Sequence, residues 1–357
     1  MQVIPVRPWQ PSPLLQQGYS QDFRIPDAWW QTTDWTPNER RRAENRAAIK
    51  HLARTQWQAA KNRRTTPARH TETYLLCLMI QTKNPLEPPG LAGEACKSLI
   101  DAGSDLHLWP DDDSIHRIAT AYMKLPAPPD PTSRLVRALV MPVPWNWQPL
   151  PTIAASLYQA WQTTPPAQRP ACWQGASVEW RIPSRLWITS NHTETSMAIK
   201  QQNKHARQSD WGTGKHMGVL DHMREQLRYA AIPAWRHQIQ QAGRLDCNRF
   251  ITIAEISYQT TGYHLAADPD NAAETVMSLL EVGAAMQAIP SDTRHECRLT
   301  PRIMPAIVYT RNQNPQTQAR AGEHNIRLWL LPIPDDWTPN SGLPLAAYQS
   351  WNREANQ

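Results

Sequence analysis

The chain has 357 residues, 40% of them hydrophobic and 19% charged, with a net charge of +6 and a pI near 9.1. That length exceeds one ordinary core and suits two domains of about 150 residues plus a connector. No apolar run approaches the roughly 20 residues that span a bilayer, and the polar, proline-containing start from Met1 to Gln10 has no signal-peptide core. These features imply a soluble, cytoplasmic protein with no membrane partner. Cys77, Cys96, Cys172, Cys247 and Cys297 are odd in number and form no CxxC, which predicts reduced thiols rather than a disulfide framework or a zinc site.

In chain order, Arg24-Ile25-Pro26 reads as an extended segment, and Pro37-Asn38-Glu39 opens a helix running to about Ala60. Thr73 to Gln81 is a short apolar run of strand length, followed by the bend at Pro85, Pro88, Pro89 and Gly90. A helix from about Leu91 to Ala102 ends near Gly103, and Asp111-Asp112-Asp113 forms the next turn. Strands are predicted over Ile115 to Lys124 and Arg134 to Val143. Pro149 to Gly175 is a proline-rich connector with one short helix, Ile153 to Trp161.

The second half runs through the same order. Arg181-Ile182-Pro183 is extended, Met217 to Gln241 is a helix, Phe250 to Gln259 a strand, and Asn271 to Met286 a helix. After the acidic turn at Ser291-Asp292, strands are predicted over His295 to Met304 and Asn325 to Pro332. Sliding the sequence against itself by 180 positions brings Pro89, Ala92, Glu94, Ser98, Leu99, Gly103, Pro110 and Asp112 onto Pro269, Ala272, Glu274, Ser278, Leu279, Gly283, Pro290 and Asp292. A period this long implies two whole domains rather than a solenoid. The expected fold is therefore α/β (α+β), with two tandem domains, each a small mixed sheet packed with two main helices. Their expected bounds are 1–148 and 176–340, with the connector at 149–175 and a tail at 341–357.

Basic residues concentrate in two places. Arg40, Arg41, Arg42, Arg46, Lys50 and Arg54 crowd the first helix, and Lys200, Lys204, Arg207 and Lys215 precede the corresponding one. Either cluster alone fits a solvated helix face; paired ahead of two like units, they also fit a surface that tracks phosphates. The 17 Trp against 2 Phe allow Trp to serve as core or as stacking platforms for unpaired bases.

The motif that carries chemistry is Asp268-Pro269-Asp270-Asn271, between a predicted strand and a predicted helix. In extended chain, residues two apart point the same way, so both carboxylates would face one spot, and an antiparallel return could bring Asp292 to it. Clustered carboxylates repel and favour a cation; hard oxygen ligands without His or Cys select Mg²⁺ or Mn²⁺. The same string is also an ordinary turn and helix N-cap. Gly212-Thr213-Gly214-Lys215-His216 lacks the first Gly and the Ser/Thr of a phosphate-binding loop.

Asp-x-Asp-Asn at a strand-to-helix junction, then a helix, a Pro-acid-Asp turn and two strands, resembles the RusA-type Holliday-junction resolvases, from Ala267 to Met304. In the first half, Cys96 to Gly103 and Trp109 to Ser114 resemble the same helix and turn. The resemblance implies an α/β domain that acts as a dimer and cuts four-way DNA junctions with Mg²⁺ held by three aspartates, here Asp268, Asp270 and Asp292. The DNA-contacting set would be Arg41, Arg42, Arg46, Lys50, Lys204, Arg207 and Lys215. In the first half, Pro88 and Gly90 stand where the acid pair should be, leaving a degenerate site with Lys97, Asp111 and Asp112. The family lysine is missing from the second half, where Glu274 and Met277 stand, and Lys97 would reach that site only through an exchanged helix. The expectation is a single-chain, monomeric pseudo-dimer with one site that cleaves branched DNA in a Mg²⁺-dependent way. A non-catalytic junction-binding protein is the alternative, and a Trp-rich partner-binding protein a third.

Overall fold

The computed structural model describes residues 19–31, 39–62, 73–81, 83, 87–109, 115–125, 130–143, 147–189, 219–258, 268–292, 299–300, 302–312 and 319–337. It is a mixed α/β structure built on one eight-stranded sheet. The strands are β1 (Tyr19–Pro26), β2 (Tyr74–Ile80), β3 (Arg117–Lys124), β4 (Ser133–Pro142), β5 (Ala176–Pro183), β6 (Phe250–Ser257), β7 (Ala306–Arg311) and β8 (Glu323–Pro332). The helices are α1 (Glu39–Asn62), α2 (Gly93–Asp105), α3 (Pro149–Thr163), α4 (Val219–Ala242) and α5 (Ala273–Ala285). No helix among the described residues is long and apolar enough to cross a membrane.

The strand order is β1-β4-β2-β3-β7-β6-β8-β5, which reads the same from either edge once β5 to β8 are matched to β1 to β4. Register supports the match residue by residue. Tyr74 pairs with Pro142 as Phe250 pairs with Pro332, and the N–H of Tyr74 bonds the carbonyl of His116 as that of Phe250 bonds Ile303. By this register Tyr122 corresponds to Tyr309 and Ala121 to Val308. Ala121 and Val308 are themselves paired where β3 meets β7 antiparallel, so the two-fold relation passes between them. The two halves thus share one continuous sheet.

Central strands are buried on both sides, which is why β2 (YLLCLMI) reads as an unbroken apolar run rather than an alternation. One face carries α1, α2, α4 and α5, with Trp57, Leu99, Trp235 and Leu279 in its core. On the other face α3 adds Ile153 and Leu157 to a core that includes Leu75, Cys77, Ala121 and Val308, and Trp161 donates its indole N–H to the carbonyl of Pro332 at 3.0 Å. The connector is therefore a packed part of the fold. Both Phe residues and eight Trp are buried, so at those positions Trp acts as core.

Two expectations are corrected. The strand predicted over His295 to Met304 lies instead at Ala306–Arg311. The 180-position match holds only through the helix and its turn. Beyond it Ala119 corresponds to Ala306, 187 positions on, because the second half inserts seven residues before the strand. The helix does end near Gly103, but Gly103 is not the residue that caps it. α2 runs to Asp105, and the left-handed residue is His107 (φ 53), matched by Gln287 (φ 57) after α5. Gly103 makes room instead: a Cβ there would lie 2.0 Å from the Trp109 ring, and one at Gly283 would lie 2.4 Å from Trp235.

Candidate functional site

Past β6, residues Pro269–Ala272 form a turn of 3₁₀ helix that leads into α5, and proline suits its first position. The carbonyl of Asp268 accepts the Asn271 N–H at 3.0 Å and the Tyr258 hydroxyl at 2.8 Å. The Asp268 side chain makes no capping bond to the turn. Instead, the carboxylates of Asp268 and Asp270 meet residues of the first half across the β3–β7 seam.

Arg117, at the head of β3, places Nη2 3.1 Å from Asp268 Oδ2 and 3.1 Å from Asp270 Oδ1. Tyr122 donates its hydroxyl to Asp270 Oδ2 at 2.9 Å. Lys97, on α2, brings Nζ to 3.9 Å from Asp268 Oδ2. The Arg117 side chain is 2% exposed, and those of Asp268 and Asp270 are 13% and 11% exposed. The cluster is two cations against two anions, the neutral balance that a buried ionic group requires. Burial, and then the Asp270 charge, hold the Tyr122 phenol well above its ordinary range, so it stays a donor. Tyr258 is raised the same way, by burial first and then by both aspartates.

This overturns one expectation: Lys97 reaches the other half's carboxylates with no exchanged helix, because β3 and β7 are neighbours and the starts of α2 and α5 both lie at the seam. Arg117, Tyr122 and Tyr258 were not anticipated. Arg117 had a signal, as a lone charge opening the buried strand RIATAYMK.

A second correction concerns Asp292. α5 carries the chain away over 13 residues, about 20 Å at 1.5 Å per residue. Asp292 then lines a hollow with Arg249, Arg302 and Asp335 at the start of β6, whereas Asp268 sits beyond its end. The antiparallel return that would have brought it back does not occur. Among the described residues no group of three or more His, Cys, Asp or Glu could hold a metal ion. A Mg²⁺ shared by Asp268 and Asp270 would need the space between Oδ2 and Oδ1 that the Arg117 guanidinium fills. With Arg117 in place, the described residues do not fit Mg²⁺ or Mn²⁺.

The related position in the other half has lost the set together. Register puts Pro88 and Gly90 where Asp268 and Asp270 stand, Met304 where Arg117 stands and Met277 where Lys97 stands. Tyr309 remains as the counterpart of Tyr122, and its ring meets Tyr122 edge-on at 5.9 Å. Facing Gly90, its buried hydroxyl has no hydrogen-bond partner among the described residues.

The basic residues expected to contact DNA are placed as follows. Arg42 and Arg46 both bond Glu94 of α2, which is 3% exposed, and Lys50 reaches Asp105 at 3.0 Å. These three brace α1 against α2, as Arg224 and Arg228 brace α4 against α5 through Glu274 and Glu281. Arg41 is exposed on the same helix. Lys204, Arg207, Lys215, Asp111 and Asp112 lie outside the described residues. No family model, no curated protein and no solved structure matches the chain.

Proposed function

We propose that this protein binds branched DNA without cleaving it, as a single-chain pseudo-dimer on a RusA-like frame. The observation that carries the reading is Arg117 bridging Asp268 and Asp270 at 3.1 Å while Asp292 lies at the far end of β6. A guanidinium supplies the countercharge where a nuclease of this type would need a divalent ion, so the aspartates are satisfied as a structural cluster. A frame whose strand order is two-fold suits a two-fold ligand such as a four-way junction, and the net charge of +6 favours a polyanion.

A Mg²⁺-dependent endonuclease acting on branched DNA is the second reading, favoured by the approach of Lys97 to Asp268. Titrating the full-length protein onto a four-way junction and a linear duplex of the same arms separates the two. The expected result is tighter binding to the junction, a steep fall in affinity with salt, and intact strands in Mg²⁺ or Mn²⁺. Metal-dependent cleavage that disappears in Asp270→Asn would establish the second reading instead. Equal affinity for both DNAs would sink both and leave a Trp-rich partner-binding protein.

A further inference from the structure

Away from the charge cluster, two thiols meet where the connector passes the loop between α4 and β6. Cys172 sits in a tight turn in which the Trp173 N–H bonds the Pro170 carbonyl and the Gly175 N–H bonds the Cys172 carbonyl at 2.7 Å. That turn is pinned to β8: Gly175 is left-handed (φ 85), and a Cβ there would lie 2.6 Å from the Leu330 carbonyl oxygen. The opposing loop is anchored too, by Leu245 N–H to the Ala288 carbonyl at 2.8 Å and Cys247 N–H to the Leu245 carbonyl at 3.1 Å. Two held backbones bring the side chains together. Cys172 Sγ lies 3.4 Å from the carbonyl oxygen of Asp246, to which its thiol donates, and Cys247 is the next residue of that loop.

The pair differs from the other described cysteines. Cys77 and Cys96 are fully buried, and burial pushes the Cys77 thiol up to about 12. Cys172 and Cys247 are only partly buried. The neighbouring Cys247 thiol outweighs burial at Cys172 and brings its thiol down, while Cys247 is raised by the same interaction and by burial. The pair thus favours the thiolate at Cys172 and the proton at Cys247, the division of labour between an attacking and a resolving cysteine.

We propose that Cys172 and Cys247 are a redox site that closes reversibly to an intramolecular disulfide, tying the connector to the loop ahead of β6. The Cys172 thiolate attacks one sulfur of a small-molecule disulfide, whose S–S bond breaks and whose other half leaves as a thiolate with the electron pair. Cys247 then gives its proton to the thiolate just released, and its own thiolate attacks Cys172 Sγ and expels the second half as a thiolate, which takes a proton from water. Over both steps the two protein thiols lose two electrons and two protons, and the small disulfide is reduced to two thiols. The reverse exchange with excess small thiol reopens the bond.

The test uses the full-length wild-type chain, reduced, then equilibrated in oxidised and reduced glutathione of stepped ratio, alkylated and mapped by peptide mass spectrometry. The expected product is a Cys172–Cys247 cross-link that dithiothreitol removes. Before oxidation, Cys172 should be alkylated at pH 7 at least about tenfold faster than Cys77 or Cys96. In Cys247→Ser, a glutathione adduct should accumulate at Cys172. Linkage of Cys172 to another cysteine, a stable adduct at Cys172 in the wild-type chain, or two unchanged thiols would overturn the proposal, and each is read without relying on a variant that folds.

Discussion

At the seam between the halves, one position holds Lys97, Arg117, Asp268 and Asp270, and its counterpart holds Met277, Met304, Pro88 and Gly90. Both sets are electrically neutral, and losing any one charged residue of the first leaves a charge with too few partners. A buried ion that loses its partner costs several kcal/mol, whereas replacing a complete pair by apolar groups can cost nothing. The two positions therefore differ as whole sets. Tyr309 marks the change, since its hydroxyl lacks the acceptor that Asp270 gives Tyr122.

Installing one apolar counterpart alone should break this balance most severely. Arg117→Met removes the guanidinium that bridges Asp268 and Asp270, and should cost about 4 kcal/mol in urea unfolding. Adding Asp268→Asn and Asp270→Asn should recover most of that loss. If the single substitution proves neutral, the cluster does not hold the seam together. The same variant sharpens the metal question: Mg²⁺ should raise its unfolding midpoint only if the uncovered carboxylates can take the ion.

The two in-helix glycines come next. Gly103→Ala drives a Cβ into Trp109, which packs edge-on against Trp57 at 5.6 Å, and Gly283→Ala drives one into Trp235. Better helix propensity offsets only about 1 kcal/mol, so we expect net losses of about 3 and about 2 kcal/mol. Equal thermal midpoints for both variants and the wild type would show that the rings move aside at no cost.

The paired glutamates differ in depth. Glu94 is 3% exposed and takes two arginines, Arg42 and Arg46; Glu274 is 17% exposed and takes Arg224. Glu94→Gln should cost about 2 kcal/mol and Glu274→Gln about 1. Burial alone would raise the Glu94 carboxyl, but hydrogen bonds and attraction from Arg42 and Arg46 more than reverse it, so it titrates below its ordinary 4.5. Its contribution is complete above that value and is lost as pH falls through the lowered one. A reversed order of the two losses would contradict the difference in burial.

Much of this was legible in the residues. The order of helices and strands followed from apolar runs, prolines and the repeat, since those patterns fix burial locally. The Asp268 and Asp270 pair was legible as two acids at a strand-to-helix junction, although Asp270 lies in a 3₁₀ turn and not in the extended chain in which residues two apart share a direction. Its partners were not. Arg117 lies 151 positions from Asp268 and meets it only because β3 and β7 pair, a long-range choice that local pattern does not encode. Asp292 misled for the complementary reason. Its spacing in the repeat is real, but a straight helix of 13 residues cannot fold back on its own start.

The smallest expected difference lies where β4 and β8 begin. Arg134 rests over the Trp30 ring at 4.7 Å and is paired with Glu87 at 2.7 Å. Its counterpart, His324, lies against Trp187 at 4.4 Å between ring centres, and burial brings its imidazole down to about 4 from 6.5. Of these two counterparts, only the imidazole is a group whose ordinary range lies in mild acid. Between about pH 6.5 and 4 the unfolded chain binds a proton at His324 that the native chain does not, so stability falls as pH is lowered through that window and is complete above it. Because His324 is only partly buried, solvent screening limits the effect to about 1 kcal/mol. Urea midpoints at pH 7 and pH 5 for wild type and His324→Gln measure it, in a range above that of Glu94. The wild type should lose more stability between the two pH values than the variant does. Parallel losses would mean that the imidazole takes up its proton in the folded protein as readily as in the unfolded chain.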